Sequence, residues 1–212
     1  GKLLNLPVKG GNDANVAALG EMWKGGGQGF QSVVVVTLGT GVGGGIIMDG
    51  KMLTGAKGAA GEIGHIHVDD EETEACGCGN TGCLEQYASA TGVVRLANRI
   101  LAKNTKPTCL KEGAVSAKTV WDAVKAGDEV AKEIAEQFGE YLGKGLAAVA
   151  GVVNPEAFVI GGGVSKAGEV ILDYIRKNYI PNVFHASREV EFTLATLGND
   201  AGIYGAAKLV LD

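Results

Sequence analysis

SVVVVTLGTGVGGGIIMDGKML, residues Ser32 to Leu53, opens with a β-branched run, Ser32 to Leu38, that reads as a buried strand. In the loop that follows, Gly39, Gly41 and Gly44 formally satisfy G-x-G-x-x-G. In a dinucleotide-binding fold that loop must open a helix. Here Gly45 to Met48 is another strand, Asp49-Gly50 is a hairpin turn signal, and Lys51 to Leu53 resumes the extended pattern. The stretch therefore predicts an antiparallel meander and excludes the Rossmann reading. On local grounds the glycine loop is either a plain tight hairpin or a cradle whose N–H groups and Thr40 hydroxyl face a polyphosphate.

Upstream, Gly25 to Gly29 is a glycine-rich turn, preceded by a helix over Ala14 to Lys24 in which Val16, Leu19, Met22 and Trp23 recur at helical spacing. Asn12 and Asp13 open it, and both residue types satisfy free N–H groups of a first turn, so capping is their plain reading. Lys2 to Val8 reads as the last strand of something further upstream. Downstream, helices are expected over Cys83 to Ala90, Thr91 to Lys103, Ser116 to Ala126 and Asp128 to about Val153, where Asn154-Pro155 stops the last helix. Val130, Ile134, Phe138 and Leu142 share one face of the last of these, and Trp121, Phe138 and Tyr141 are expected in the core. Ala157 to Ile160 is a short strand ending in Gly161-Gly162-Gly163, followed by a helix (Gly168 to Tyr179), a strand (Val190 to Leu197) and a helix (Asn199 to Val210). The triple glycine is either a sharp strand-to-helix turn or a nucleotide contact, since α/β sheets bind ligands at that end of a strand. This order yields three antiparallel strands extended by two parallel ones through crossover helices: an α/β fold with a mixed five-stranded sheet and helices on both faces.

Gly61 to Glu85, GEIGHIHVDDEETEACGCGNTGCLE, sets Cys76, Cys78 and Cys83 behind His65 and His67, between Glu62 and Glu85. Three thiolates and one imidazole are a standard tetrahedral set for zinc. A disulfide or a reactive thiol cluster is the alternative, but three clustered cysteines cannot pair off, and Cys109 stands alone without ligand spacing. Spacing does not choose between the two histidines.

The chain has 212 residues, 19 Lys+Arg against 24 Asp+Glu, and 35 glycines. That length suffices for a substantial core. No basic stripe is visible, so a nucleic-acid partner has no electrostatic support. The apolar runs fall short of the roughly 20 residues that span a bilayer, and no signal peptide is evident, which makes cytoplasmic the default. Glycine, about one residue in six against a usual share of about 7%, clusters in turns between apolar runs, where backbone must approach a ligand or another strand.

Gly64-His65, Cys76-Gly77-Cys78-Gly79, Gly82-Cys83 and Glu85 together resemble the zinc signature of the ROK family (repressors, open reading frames and sugar kinases), and Gly11 to Glu21 resembles its stretch carrying the catalytic aspartate. The resemblance implies a ribonuclease H-like large domain of the actin and hexokinase ATPase type, with structural Zn²⁺ on His65, Cys76, Cys78 and Cys83 and His67 as a neighbour. It implies Asn12, Asp13, Glu62, His65 and Glu85 on a hexose, with Asp13 as general base toward its 6-hydroxyl. Gly39, Thr40 and Gly41 resemble the second phosphate motif of that fold and Gly161, Gly162 and Gly163 the adenosine motif, so Mg-ATP is the expected phosphate donor. His65 would serve both metal and sugar, its two nitrogens facing different partners.

Family kinases begin with a small lobe whose Asp-x-Gly-Gly-Thr loop supplies the first phosphate motif; no such sequence occurs in this chain. The expected organisation is residues 1–12 as the end of that lobe, 13–198 as the large domain with its metal loop at 61–85, and 199–212 as a helix packing toward the small lobe. The expected function is an ATP-dependent hexose 6-phosphotransferase, with glucose as first choice over fructose, N-acetylmannosamine, N-acetylglucosamine and allose, and little turnover by this chain alone. A homodimer is the expected assembly, with small-molecule hexose and ATP as partners and neither membrane nor nucleic acid. A sugar-sensing repressor domain is the second reading, and a phosphate loop or a helix-turn-helix upstream separates the two. A zinc-ribbon nucleic-acid module would want paired C-x-x-C knuckles and a basic surface, and neither is present.

Overall fold

The structure, a computed structural model, describes residues 8–211. The strand expected over Lys2 to Val8 lies, apart from Val8, outside the described residues.

The meander forms as read. Strand β1 (Val33–Leu38) pairs antiparallel with β2 (Val42–Met48), which pairs antiparallel with β3 (Lys51–Met52); Asp49 and Gly50 turn between them at φ 50° and 73°. That left-handed pair matches the twist of a tight hairpin. β4 (Ala157–Gly161) lies parallel to β1 and β5 (Glu191–Leu194) parallel to β4, giving the order β3-β2-β1-β4-β5.

Two strand boundaries differ from expectation by three residues. β2 begins at Val42, not Gly45, because Leu38 pairs with Val42 and only Gly39 to Gly41 are left to turn. Glycine carries no strand signal in sequence, but its backbone pairs as well as any. β5 ends at Leu194, three residues early, because the N–H groups of Thr196 and Leu197 turn away to the carboxylate of Glu21, at 3.1 and 2.9 Å.

Helices cover both faces, and strand alternation assigns them. Val33, Val35, Ile47, Ala157 and Val159 face α1 (Asp13–Lys24), against which α7 (Ala201–Leu211) packs. Val34, Val36, Leu38, Phe158 and Ile160 join the larger core on the other face. That core includes α3 (Ala90–Lys103), α4 (Ala117–Lys125), α5 (Glu129–Val153) and α6 (Glu169–Tyr179). Val130, Ile134, Phe138 and Leu142 are all fully buried and Trp121 nearly so, while Tyr141 is half-buried and stacks on Tyr87 with ring centroids 3.8 Å apart. The caps are those of the residue chemistry: Ser116 and Thr119 form a capping box, Asp128 accepts from Val130 and Ala131, and Asn154 ends α5 in a left-handed conformation. Among the described residues no helix is long and apolar enough to cross a membrane.

The glycines of β2 decide what can approach it. An added Cβ at Gly43 would sit 4.0 Å from Ala14 Cβ, and one at Gly45 would meet Ala14 O at 3.1 Å, so α1 lies directly on that face. On the opposite face, a Cβ at Gly44 would stand 2.5 Å from Gly61 O and 2.8 Å from Ile63 Cγ1. Alternate glycines thus let the start of α1 and the Gly61–Gly64 turn press onto the two sides of one strand.

Candidate functional site

Both glycine loops, Glu85 and the cysteine–histidine set gather at one end of the sheet, where β1 and β4 finish. Gly39 to Gly41 leave β1 as a tight turn closed by Gly39 N–H donating to Gly41 O at 3.0 Å. Gly162, the residue after β4, has φ 88°, and a Cβ there would be 2.5 Å from Leu38 O, so the triple glycine and the first glycine loop abut at the end of β1. The start of α3 meets the same loop: Ala90 N–H donates to Gly39 O at 2.7 Å and Thr91 Oγ1 to Thr40 O at 2.8 Å.

Asn12 is the N-cap of α1, its Oδ1 accepting from the N–H groups of Ala14 at 3.0 Å and Asn15 at 3.3 Å. Asp13 begins the helix and is exposed, with Oδ1 2.8 Å from Ala14 N. The capping role read from local sequence is therefore real for Asn12, and it fixes where Asp13 starts. Glu62 is exposed and precedes a short 3₁₀ turn, Ile63–His65.

His65, Cys76, Cys78 and Cys83 offer one ligand atom each, all within 4.8 Å of one another. Cys78 Sγ lies 3.6 Å from Cys83 Sγ, and Cys76 Sγ lies 3.8 Å from His65 Nδ1. Thiolates about 2.3 Å from a tetrahedral centre are about 3.8 Å apart, so the chemistry and spacing of this donor set fit a four-coordinate cation of the zinc type. His67 is set apart: its Nδ1 contacts Thr81 O and its Nε2 contacts Asp70 Oδ1, both at 2.9 Å, so both ring nitrogens are used. Cys109 is also apart, its N–H donating to Asp128 Oδ2 at 2.9 Å. Without a cation, burial pushes the Cys76 thiol up to about 12 and raises Cys83, whereas the Asn80 N–H lowers Cys78. A metal would have to displace those protons.

Glu85, the first residue of the short helix α2 (Glu85–Ala88), joins the metal set to the glycine loop. Its Oε1 accepts from Cys76 Sγ at 3.0 Å and lies 3.8 Å from His65 Nδ1, and an added Cβ at Gly41 would stand 2.6 Å from its Oε2. Thr40, Gly41, Cys76, Glu85 and Ser89 line a cavity of about 380 Å³ there. A larger cavity, about 640 Å³, lies between α1 and the β2–β3 hairpin and holds none of the predicted residues.

Sequence reading missed what holds this region. Tyr87 Oη stands 2.6 Å from Glu72 and 2.7 Å from Asp69, while Arg95 and Arg99 reach Glu72 at 2.7 and 3.0 Å, pinning the metal loop to α3. Nothing in local spacing marks these partners, which come from three segments. Ser89 was legible as an N-cap, yet a helix expected to run through Ala90 concealed it; it ends α2 and caps α3, accepting from Gly92 N–H at 2.9 Å.

A sequence profile described as "ROK family" matches residues 1–212. A glucokinase of Halalkalibacterium halodurans is 47% identical over 213 residues, covering 97% of this chain and 64% of that protein. A xylose repressor of Caldicellulosiruptor bescii is 31% identical over 98% of this chain and 53% of the repressor. The crystal structure of a ROK family glucokinase from Streptomyces griseus in complex with glucose and AMPPNP superposes with TM-score 0.85 at 40% identity, over 98% of this chain and 69% of that one. The chain thus spans about two-thirds of the glucokinases it matches. With the match running from end to end, and with the cysteine–histidine loop and both glycine loops in their expected places on the expected sheet, the chain belongs to the ROK family.

Proposed function

We propose that the full-length protein is an ATP-dependent hexokinase-type sugar kinase, with glucose as its first substrate, and that this chain is its large lobe. What supports this most directly is a single juxtaposition: Glu85 faces both the His65–Cys76 pair and Gly41 of the glycine loop, so a sugar held by that carboxylate would lie beside a phosphate-binding turn. The 47% identity to a glucokinase and the likeness to a glucose- and AMPPNP-bound structure point the same way.

In this reading Asn12, Glu62, His65 and Glu85 hold the sugar hydroxyls, and Asp13 takes the proton from the 6-hydroxyl as that oxygen attacks the γ-phosphate. Gly39, Thr40 and Gly41 offer backbone N–H groups and a hydroxyl to the phosphates, and Gly161 to Gly163 border the nucleoside. Phosphoryl transfer depends mostly on such positioning, with Mg²⁺ neutralising charge on the phosphates when bound. Zn²⁺ on His65, Cys76, Cys78 and Cys83 would be structural, closing the loop that carries Glu62 and Glu85. Residues 1–12 would end the small lobe, and 199–212 would pack toward it; Ile203 and Leu211, 69% and 71% exposed on α7, are consistent with a covered face. A homodimer, checked by sedimentation, and a cytoplasmic location complete the reading.

Asp13→Asn in the full-length protein tests it: glucose phosphorylation should fall about 10²- to 10⁴-fold, with the fold and metal content retained. Turnover within tenfold of wild type would remove Asp13 as the base. The likeness to a xylose repressor favours one second reading, a sugar-sensing regulator. Sugar binding without any phosphorylation by the full-length protein would select it.

A further inference from the structure

Between the glycine loop and Glu85 runs a chain of two hydroxyls. Thr91 Oγ1 donates to Thr40 O at 2.8 Å, Ser89 Oγ donates to Glu85 O at 2.6 Å, and the two hydroxyl oxygens lie 2.9 Å apart. Each hydroxyl carries one proton. Two protons therefore face three oxygen–oxygen contacts, and the Gly92 N–H already occupies an acceptor site on the Ser89 oxygen. If Thr91 serves Thr40 and Ser89 serves Glu85, the 2.9 Å contact between them holds no proton; if either hydroxyl turns to the other, one carbonyl loses its donor. Ser89 is fully buried, so water does not make up the shortage on its side.

The two ends of this chain are the two halves of the proposed site. Thr40 is the centre of the phosphate-facing loop, and Glu85 carries the carboxylate assigned to the sugar. The loop and the carboxylate also lie side by side, since Gly41, next to Thr40, has no side chain to hold Glu85 Oε2 away. We propose that Ser89 and Thr91 are positioning residues that couple nucleotide binding at Gly39–Gly41 to sugar binding at Glu85. A phosphate that shifts the Thr40 carbonyl changes which way the Thr91 proton points; that changes the demand on the Ser89 proton and so the seating of the first turn of α2. An element with alternative hydrogen-bond arrangements that both sites bias is the physical basis for coupling. This inference rests on the kinase reading above.

Thr91→Val tests it, because valine keeps the β-branched shape, and the cap of α3 belongs to Ser89, not Thr91. Glucose affinity of the full-length protein is measured by calorimetry with and without saturating AMPPNP, for wild type, Thr91→Val and Thr91→Ser. Wild type should give an affinity ratio that departs from one. Thr91→Val should bring that ratio about two- to tenfold closer to one, the range open to a single net hydrogen bond, while glucose affinity without nucleotide stays the same. Thr91→Ser should restore the wild-type ratio. A purely structural role would weaken binding in both states alike and leave the ratio untouched. An unchanged ratio in Thr91→Val, or a wild-type ratio of one, overturns the coupling while glucose phosphorylation by wild type leaves the kinase reading standing. A wild-type protein that neither binds nor phosphorylates hexose overturns both.

Discussion

Replacing Glu72 with glutamine probes how the metal loop is anchored. The Glu72 side chain is 2% exposed and accepts from Tyr87 at 2.6 Å, Arg95 at 2.7 Å, Arg99 at 3.0 Å and the Glu74 N–H at 2.9 Å. Burial by itself would raise its pKa, but the Tyr87 hydroxyl, the Glu74 N–H and the two guanidinium groups outweigh that and bring it from 4.5 to about 2. At about 1.4 kcal/mol per pH unit, this preference for the ionised form is worth about 3 kcal/mol of folding free energy at pH 7. The folded value lies below the unfolded one. The contribution is therefore complete above about pH 4.5 and disappears as pH falls toward 2, with about 1.4 kcal/mol left at pH 3. Glutamine keeps the shape and an acceptor for Tyr87 while removing the charge, and Arg95 retains Glu74 at 2.7 Å. Urea unfolding at pH 7 should show Glu72→Gln about 3 kcal/mol less stable than wild type, and the gap should narrow by about half at pH 3. Acid release of a metal affects both proteins and cancels in the difference. A gap under about 0.5 kcal/mol at pH 7, the size of an ordinary surface change, or one that does not narrow on acidification would refute the reasoning.

Three other outcomes are expected. Gly41→Ala places a Cβ 2.6 Å from Glu85 Oε2, the end of a flexible side chain; it should raise the KM for glucose in the full-length protein while unfolding free energy stays within about 0.5 kcal/mol, and an unchanged KM would separate Glu85 from the sugar. Gly44→Ala meets Gly61 O at 2.5 Å and Ile63 Cγ1 at 2.8 Å, where backbone must move, so it should cost about 1–3 kcal/mol in urea unfolding, and a neutral result would contradict the packing of the Gly61–Gly64 turn on β2. Elemental analysis should find one zinc per chain, lost in Cys83→Ser, with affinity rising as pH rises because binding must release protons from thiols that burial raises, Cys76 to about 12; an affinity flat between pH 6 and 8 would argue against thiolate ligation.

The meander was legible because its signals are local. A β-branched run, a glycine turn and an Asp-Gly pair each act within a few residues; the register, from Val33↔Ile47 to Leu38↔Val42, was not legible, because Gly43 and Gly44 carry no strand signal and read as loop. The ligand set was legible because a chelating loop keeps its donors close in sequence, from His65 to Cys83. Choosing His65 over His67 was different: local spacing left it open, the family resemblance named His65, and in the folded chain Asp70 and Thr81 take up both nitrogens of His67.

By itself, then, the amino-acid order determined the element sequence, the hairpin reading against a Rossmann helix, and the thiol-imidazole cluster, all of which rest on backbone preference and short-range chemistry. Only the tertiary structure decided that Glu85 touches the glycine loop as well as the cysteines, that Glu21 of α1 draws the chain out of β5, and that two hydroxyls bridge Thr40 to Glu85. Those contacts join segments up to 176 residues apart. No spacing rule reaches that far, because such pairs meet only when a sheet and the helices on its two faces are packed together.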